Sequence, residues 1–412
     1  MIKTLKVSFS TLTFIAAALI SCTNDTVNPG SNEVTPVEIP SRISDGTTSF
    51  AFDFMHNLLE TQPAEDNLFV SPLSLHMALG MLLNGAENET SQEILKALKM
   101  EGVSIEDLNS AYKTLINNLP VADSKVSLGL ANSAWYKSGF QVETDYQNVL
   151  KSSFNAEITG LPFDDAGKDR INKWASDKTN GKIKKVLDKI SPEHVMFLLN
   201  ALYFKGDWSY QFDAKNTVDA QFQLENGTTK QVKMMNVKSD FKSASNTTYN
   251  AVSLPYANGQ FNLTLVIPNG QNTVDKVLKE MTAEEWNTLQ STGLRKAGIN
   301  VGLPRFTLDY SADLNSTLDN MGIKKVFTGA AELGKINKTA DLYVDFIKQD
   351  AYLGIDEKGT EAAAVTTIGI GLTSVTPEPP RFICDRPFAL IISENTSNTI
   401  LFMGRIKNPE SK

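Results

Sequence analysis

Apolar positions early in the chain recur with the spacing of an α-helix. Phe50 and Phe54 fall on one helical face, so a first helix is predicted around them. A second helix is predicted over residues 71–84, with Ser71 as its N-cap and a proline at the first helical position. A third is predicted to begin at Ser91. Helices therefore dominate the first part of the folded chain.

Later segments favour strands. Four apolar runs have strand length and composition, and two further runs near the C-terminus flank a short polar segment that predicts a turn. The four runs are Val126–Tyr136, Val195–Phe204, Phe261–Ile267 and Arg305–Leu308, and the C-terminal pair is Phe388–Ile392 and Ile400–Gly404. Helices mainly first and strands mainly later predict an α+β fold with a large mixed sheet.

The N-terminus has the features of a lipoprotein leader. Lys3 and Lys6 precede an apolar stretch that is too short to span a membrane, which indicates a signal peptide over residues 1–21. The sequence Leu-Ile-Ser before Cys22 resembles the lipobox of bacterial lipoproteins, in which the cysteine is lipidated. Ordinary secretory cleavage that leaves Cys22 free is the alternative.

Three regions are predicted from this pattern: the signal peptide, a lipidated cysteine with a flexible tether over residues 22–45, and one folded domain over residues 46–412. The tether is rich in Asn, Thr, Ser and Pro. We therefore expect an exported protein, lipid-anchored in a bacterial outer membrane. Whether it faces the cell surface or the periplasm is left open.

Charge and cysteine content exclude several function classes. The formal net charge of −8 argues against nucleic acid as the main partner. Apart from Cys22, the only cysteine is Cys384, so no disulfide framework or paired-cysteine metal site is expected. Lys96, Lys99 and Lys113 stand among acidic residues, so we expect no heparin-like cofactor.

No motif supports catalysis. None of the three histidines has metal-ligand spacing to another, and His76 is expected to be a packed core residue. No G-x-S-x-G sequence is present, so a hydrolase lacks its nucleophile. The segment 329–335 imitates a phosphate-binding loop, but Ile336 stands where magnesium binding needs Ser or Thr. We therefore expect neither catalytic residues nor a metal site, and no cofactor.

One segment, residues 355–374, has an unusual composition. It contains no proline, and its alternate positions from Thr360 are small and then apolar. This period of two is typical of a strand that could be buried at the centre of a sheet. A proline-rich stretch that looks exposed follows it. A plain strand running into a loop is the simpler interpretation of the segment alone.

Residues 357–364, EKGTEAAA, resemble the hinge of the serpin family. The resemblance covers essentially all of residues 46–412, because further segments resemble family motifs in the family's order and at similar separations. These segments are Asn67–Leu75, Ile171–Trp174, Thr179–Ile183, Asn200–Trp208, Leu254–Tyr256, Leu303–Phe306, Met321–Ile323 and Asp385–Phe388.

The resemblance implies a fold of three β-sheets with about nine helices and an exposed reactive-centre loop, here about residues 357–380. The resemblance also implies that the protein is a suicide inhibitor of serine proteases, which is consumed in the reaction. A serine protease would form an acyl-enzyme with the loop, which would then insert into the central sheet. The expected hinge residues are Glu357, Gly359, Thr360, Ala362, Ala363 and Ala364. Small side chains there would resist insertion least, and Gly359 would permit the backbone to swing.

Counting from the hinge as in the family places the scissile bond between Thr373 and Ser374, with Leu372 as an alternative. Threonine before the bond suits the small S1 pocket of elastase-like or subtilisin-like proteases, whereas Leu372 would suit chymotrypsin-like enzymes. Residues 360–379 contain no Lys or Arg, which argues against trypsin-like targets. We expect a monomer whose partners are serine proteases and, through the anchor, a membrane.

The remaining matched positions are structural. Arg305 and Glu357 are expected to form a salt bridge at the top of the opening sheet, beside a core Trp208. A polar cluster is expected lower down, beneath the strands that part, and it comprises Ser71, Ser74, Asn200 and Gln349. Gln349 stands where the family often has histidine, and glutamine cannot change its charge with pH.

Three other functions fit the sequence less well than inhibition does. A non-inhibitory serpin that binds or scaffolds would tend to have a bulky or charged hinge. A carbohydrate-capture lipoprotein would need exposed aromatic platforms, but only 4 Trp are present. A hydrolase lacks its nucleophile motif. The small residues of the hinge favour the inhibitor.

Overall fold

The computed structural model describes residues 34–360 and 379–410, and nine α-helices lie in these ranges. None of these nine is both long and apolar enough to cross a membrane. They are α1 (Ser41–Thr61), α2 (Pro72–Gly85), α3 (Asn88–Ala97), α4 (Ile105–Asn118), α5 (Thr144–Phe154), α6 (Asp165–Lys178), α7 (Val274–Glu280), α8 (Ala283–Thr288) and α9 (Asn315–Asn320).

Helix α2 begins where its sequence predicts. Pro72 is its first residue, and the Ser71 hydroxyl accepts a hydrogen bond from the backbone N–H of Ser74 at 3.1 Å. This bond satisfies one of the backbone donors that a helix start leaves unpaired. The predicted N-cap is therefore confirmed.

Helix α3 begins at Asn88, earlier than the Ser91 start that was predicted. The reason is a distant carboxylate. Glu332 accepts hydrogen bonds from the backbone N–H groups of Glu89 and Thr90, at 3.1 and 3.3 Å. A cap supplied from so far along the chain leaves no local sequence signal.

Fifteen strands occur in the described ranges. Each of the six predicted apolar runs overlaps one of them. The fifteen strands are β1 (Leu68–Val70), β2 (Val126–Lys137), β3 (Glu157–Leu161), β4 (Met196–Asp207), β5 (Val218–Gln223), β6 (Thr229–Ser245), β7 (Tyr249–Pro255), β8 (Phe261–Pro268), β9 (Arg295–Pro304), β10 (Phe306–Asp313), β11 (Lys348–Ile355), β12 (Gly359–Thr360), β13 (Arg381–Ile383), β14 (Phe388–Glu394) and β15 (Thr399–Ile406).

These strands form a six-stranded sheet, in the order β10-β11-β12-β4-β2-β3, and a nine-stranded sheet. The nine-stranded sheet has the order β1-β15-β14-β8-β7-β6-β9-β13, with β5 also paired to β6. Strand β6 joins its two halves, because its start pairs with β5 and its end with β7. The six-stranded sheet and these two halves correspond to the three sheets that were expected.

The main core lies between the sheets and helices α1 and α2. Every residue of β8, β14 and β15 is buried. Strands β14 and β15 form the predicted C-terminal hairpin in antiparallel register. A smaller apolar cluster, which includes Trp135, Trp174 and Phe197, lies between α6 and the six-stranded sheet.

Ordered contacts are also present before residue 46, where the predicted folded domain begins. Val37 is fully buried, and its backbone N–H donates to Thr396 Oγ1 at 2.8 Å. The carbonyl of Thr35 accepts from Gln260 Nε2 at 2.6 Å. Helix α1 starts at Ser41. The partners of this arm lie on distant turns, which explains why its local composition resembled a tether.

Candidate functional site

The two residues of β12 occupy a central place in the six-stranded sheet. Thr360 pairs with Ile355 of β11 on one side and with Gly206 of β4 on the other, and both pairings are antiparallel. The chain therefore turns back after β11 and enters the sheet between β11 and β4. This position is the start of the predicted hinge.

A tight turn at Asp356 directs the chain back into the sheet. Its carboxylate accepts hydrogen bonds from the backbone N–H groups of Lys358 and Gly359, at 2.9 and 3.2 Å. The backbone N–H of Asp356 donates to the Gly359 carbonyl at 3.0 Å. Burial raises the pKa of Asp356, although these backbone donors act in the opposite direction.

Gly359 is required by close packing. A Cβ atom at this position would lie 2.0 Å from the Gly206 carbonyl oxygen and 2.8 Å from the Asp207 Cα. Its φ is not among the positive values of the chain. The structure therefore gives a reason for glycine that differs from the backbone freedom that was predicted.

The side chain of Thr360 is buried against Tyr256. Its Oγ1 lies 2.6 Å from the Tyr256 hydroxyl, and only 3% of Thr360 is exposed. Burial raises the pKa of Tyr256 far above its ordinary value, so the hydroxyl remains protonated. Sequence reasoning assigned no role to Tyr256, although this residue lies in a family-like motif.

Trp208 holds the turn above the hinge. Its ring stacks on Tyr256 with centroids 4.5 Å apart, and its Nε1 donates to the Asp356 carbonyl at 2.9 Å. Its backbone N–H donates to the Lys358 carbonyl at 2.6 Å. Trp208 is thus a core residue at the opening of the sheet, in contact with the turn and with the tyrosine beneath the hinge.

Arg305 and Glu357 are brought together, with Nη1 and Oε1 3.5 Å apart. Glu357 Oε1 also accepts from Thr217 Oγ1 at 2.9 Å. Arg305 lies at the corner between β9 and β10, which belong to different sheets. Because the Arg305 side chain is about half exposed, the pair itself contributes little to stability.

The expected polar cluster is present in two separate parts. In the first, Gln349 Oε1 accepts from the Ser71 backbone N–H at 2.8 Å, and its Nε2 donates to the Ser71 carbonyl at 2.9 Å. These two hydrogen bonds connect the start of α2 to β11. Ser74 belongs to this first part, because its backbone N–H donates to the Ser71 hydroxyl.

Asn200 belongs to the second part, where its partner is Asn132. Asn200 Nδ2 donates to Asn132 Oδ1 at 2.6 Å, and Asn132 Nδ2 donates to the Phe154 carbonyl at 2.8 Å. The two asparagines are direct cross-strand partners on β4 and β2. Sequence reasoning missed Asn132, although an amide at the centre of a largely apolar strand was a usable signal.

Below β12, the described residues of β4 and β11 border a cavity of about 500 Å³. Its lining is largely apolar and extends from α2 on one side of the sheet to α6 on the other. Lining residues include Leu79, Trp174, Leu199, Asn200, Phe346 and Gln349. In the strand order of this sheet, β12 lies between β4 and β11.

Several predicted positions lie outside the described residues. These are the lipidation site Cys22, the hinge residues Ala362, Ala363 and Ala364, and the reactive-bond residues Leu372, Thr373 and Ser374.

Other candidate positions from the sequence have structural contacts among the described residues. They contain no group of three or more His, Cys, Asp or Glu side chains placed to hold a metal. In the segment that imitates a phosphate loop, Glu332 bonds to Lys325 Nζ at 3.0 Å and caps α3. His76 is buried and bonded, as predicted, with 1% exposure.

Residues 45–409 match the family model described as "Serpin (serine protease inhibitor)". The chain is 33% identical to the leukocyte elastase inhibitor of Equus caballus, over 89% of this chain and all of that protein. It is 29% identical to Serpin B4 of Homo sapiens, over 89% of this chain and 99% of that protein. The native-state crystal structure of the thermophilic serpin tengpin superposes with a TM-score of 0.83 and 28% identity, covering 91% of this chain and 96% of that one.

Proposed function

Since the chain belongs to the serpin family, we propose that it inhibits serine proteases by offering residues of about 357–380 as a bait loop and by inserting that loop into the six-stranded sheet after cleavage. The observation that carries this proposal is the position of β12. Gly359 and Thr360 already pair with both β4 and β11. The loop therefore starts from within the sheet that it would enter.

The register of β12 says where an inserted loop would lie. If the register continued downward, Ala362 would lie between Phe204 and Leu353, and Thr366 between Asn200 and Gln349. The loop would thus descend through the cavity between β4 and β11. Each strand would gain a ladder of hydrogen bonds, which is the driving force for insertion.

Side-chain size along the loop suits this path. Thr360 faces the buried Tyr256, so in an inserted strand Ala362 and Ala364 would lie on the same face. Ile368 and Ile370 would follow on that face, lower in the sheet, where the apolar cavity lies. Small residues would enter the tight upper part and larger apolar residues the wider lower part.

The proposed reaction begins at the bond between Thr373 and Ser374. The protease's serine oxygen would bond to the Thr373 carbonyl carbon, and the C–N bond would break as the Ser374 amine leaves with a proton from the protease's histidine. Insertion would then displace the attached protease. Distortion of its oxyanion hole would prevent hydrolysis of the acyl-enzyme.

Elastase-like proteases are the proposed preferred targets. Threonine at the bond suits a small S1 pocket, and the relative in Equus caballus is named a leukocyte elastase inhibitor. Subtilisin-like enzymes share this preference, and Leu372 offers a second bond to chymotrypsin-like enzymes. A non-inhibitory binding role is the second candidate, because the fold also superposes on human thyroxine-binding globulin with a TM-score of 0.81 and 25% identity.

We also propose that the mature protein is a monomer anchored through a lipid on Cys22. With folded residues starting near Val34, about 12 residues would separate the lipid from the domain, a span of about 40 Å when extended. Cys22→Ser should move the protein from the membrane fraction to the soluble fraction. An unchanged distribution would contradict lipid anchoring.

Loop insertion is tested by heating. The intact and loop-cleaved forms of the mature chain should be compared by differential scanning calorimetry. Insertion completes the central sheet, so the cleaved form should melt at a far higher temperature. Equal melting temperatures for the cleaved and intact forms would contradict loop insertion and favour the non-inhibitory binding role.

A further inference from the structure

A hydrogen bond crosses the lower end of the cavity between β4 and β11. His194, just before β4, has its Nε2 2.9 Å from Oδ2 of Asp345, just before β11. The Ser191 backbone N–H donates to His194 Nδ1 at 3.1 Å. Because Nδ1 accepts, Nε2 carries the hydrogen and donates to the Asp345 carboxylate.

Each partner of this bond is fixed to its own side of the cavity. On the β11 side, the Asp345 carbonyl accepts from Asn315 Nδ2, and the Ile347 N–H donates to Asn315 Oδ1, both at 2.8 Å. On the β4 side, His194 is held by the turn at Ser191. Movement of β4 away from β11 at this level must therefore stretch the bond.

Aromatic rings support the same contact. The His194 ring packs edge-on against Phe197 of β4 and Phe346 beside β11, with centroid distances of 5.2 and 5.7 Å. The His194 side chain is 13% exposed, whereas the Asp345 side chain is 58% exposed. The acceptor is charged, which makes this bond stronger than one between neutral groups.

The register of β12 shows when a loop would meet this bond. Continued in register, Ile370 would lie opposite Asp345, and Leu372 would lie opposite His194. Residues up to about 367 would reach only Leu199 and Lys348, above the bond. Only the last residues before the proposed scissile bond would have to pass between the two partners.

We propose that the His194–Asp345 hydrogen bond is a latch that opposes the final stage of loop insertion. This inference rests on the proposed insertion mechanism. The latch leaves the early entry of the hinge unaffected and slows only the step that carries the loop end past the lower edge of the sheet. It thereby determines how far an uncleaved or partly inserted loop can descend.

Two synthetic peptides with the sequences of residues 361–367 and 361–373 test the latch. They should be annealed to the intact mature chain, and incorporation should be followed by native gel and by thermal midpoint. Asp345→Asn and His194→Gln keep side-chain shape but weaken the bond. Glu193→Gln is the matched control, because this exposed neighbour bonds only to Ser191 Oγ among the described contacts.

Both latch variants should take up the long peptide about twofold to fivefold faster than the parent chain and the control. The short peptide should anneal at the same rate in all four proteins. Equal rates for the long peptide would overturn the latch, as would equal acceleration of both peptides. If the parent chain incorporates neither peptide and gains no thermal stability after cleavage, the insertion mechanism itself fails, and the latch fails with it.

Discussion

The hydroxyl of Tyr256 lies 2.6 Å from Oγ1 of Thr360, which connects the turn after β7 to the first loop residue inside the six-stranded sheet. Both side chains are buried. The contact means that the hinge is held by a side chain of the other sheet as well as by its two neighbouring strands. The stability of the inserted hinge should therefore depend on this tyrosine.

Tyr256→Phe should lower the free energy of unfolding of the intact protein by about 1 kcal/mol, because Thr360 Oγ1 loses a buried partner. The midpoint of urea unfolding measures this. Thr360→Val provides the second arm of a double-mutant cycle, and Tyr210→Phe, at a half-exposed ring, is the control. If the two substitutions are simply additive, the bond does not couple the hinge to Tyr256.

Gly359→Ala should displace β12, because the new Cβ would lie 2.0 Å from the Gly206 carbonyl. Amide hydrogen exchange at Gly206 and Thr360 should accelerate at least tenfold, since their ladder hydrogen bonds open. Gly329→Ala is the matched control, because nothing lies within 4 Å of a Cβ there. Unchanged protection at Gly206 would show that the sheet can accommodate a methyl group and that the stated reason for glycine is wrong.

Thr360→Arg should convert the inhibitor into a substrate. Thr360 is 3% exposed in the sheet, and an arginine there would bury an unpaired charge. The loop would still be cleaved, but insertion would be slower than release of the protease. Glu361→Arg is the control, since in an inserted strand its side chain would lie on the opposite face. Full inhibition by Thr360→Arg would be incompatible with entry through the hinge.

His76 should make the native state lose stability in acid. Burial lowers the pKa of His76 from 6.5 to about 4, and its two ring nitrogens are bonded to the Leu98 carbonyl and the Tyr112 hydroxyl. Between pH 6.5 and pH 4, His76 binds a proton in the unfolded chain but remains largely neutral in the folded chain. The stability that His76 contributes is therefore complete above pH 6.5 and falls by roughly 3 kcal/mol as the pH approaches 4.

The His76→Gln variant, which cannot titrate, separates this effect from that of the carboxylates. Thermal midpoints of the parent and the variant should be compared between pH 7 and pH 4. The parent should lose more stability than the variant over this range. Parallel curves would mean that His76 does not contribute to the acid sensitivity.

Sequence reasoning predicted the elements whose signals are local. The Ser71 cap, the β14–β15 hairpin and the strands β2, β4 and β8 all follow from capping chemistry and periodicity. The change of sheet at Arg305 between β9 and β10 was not predicted, because the partners that each strand takes lie far along the chain.

Features that depend on distant partners were missed. The start of α3 depends on Glu332, and the buried arm at Val37 depends on Thr396. At the candidate site, the resemblance to a known family identified the Arg305–Glu357 and Ser71–Gln349 contacts. It gave no role to Tyr256, because a contact between a strand end and a hinge far along the chain has no periodic signal.

The most direct test of the central claim is a denaturing gel of the soluble mature chain, starting at Thr23, after mixing with elastase. Inhibition by covalent trapping predicts a new band near the summed mass of the two proteins and a released C-terminal peptide that begins at Ser374. A subtilisin and a chymotrypsin should be tried in parallel. Complete cleavage of the chain with all three proteases still active and no covalent band would contradict the account.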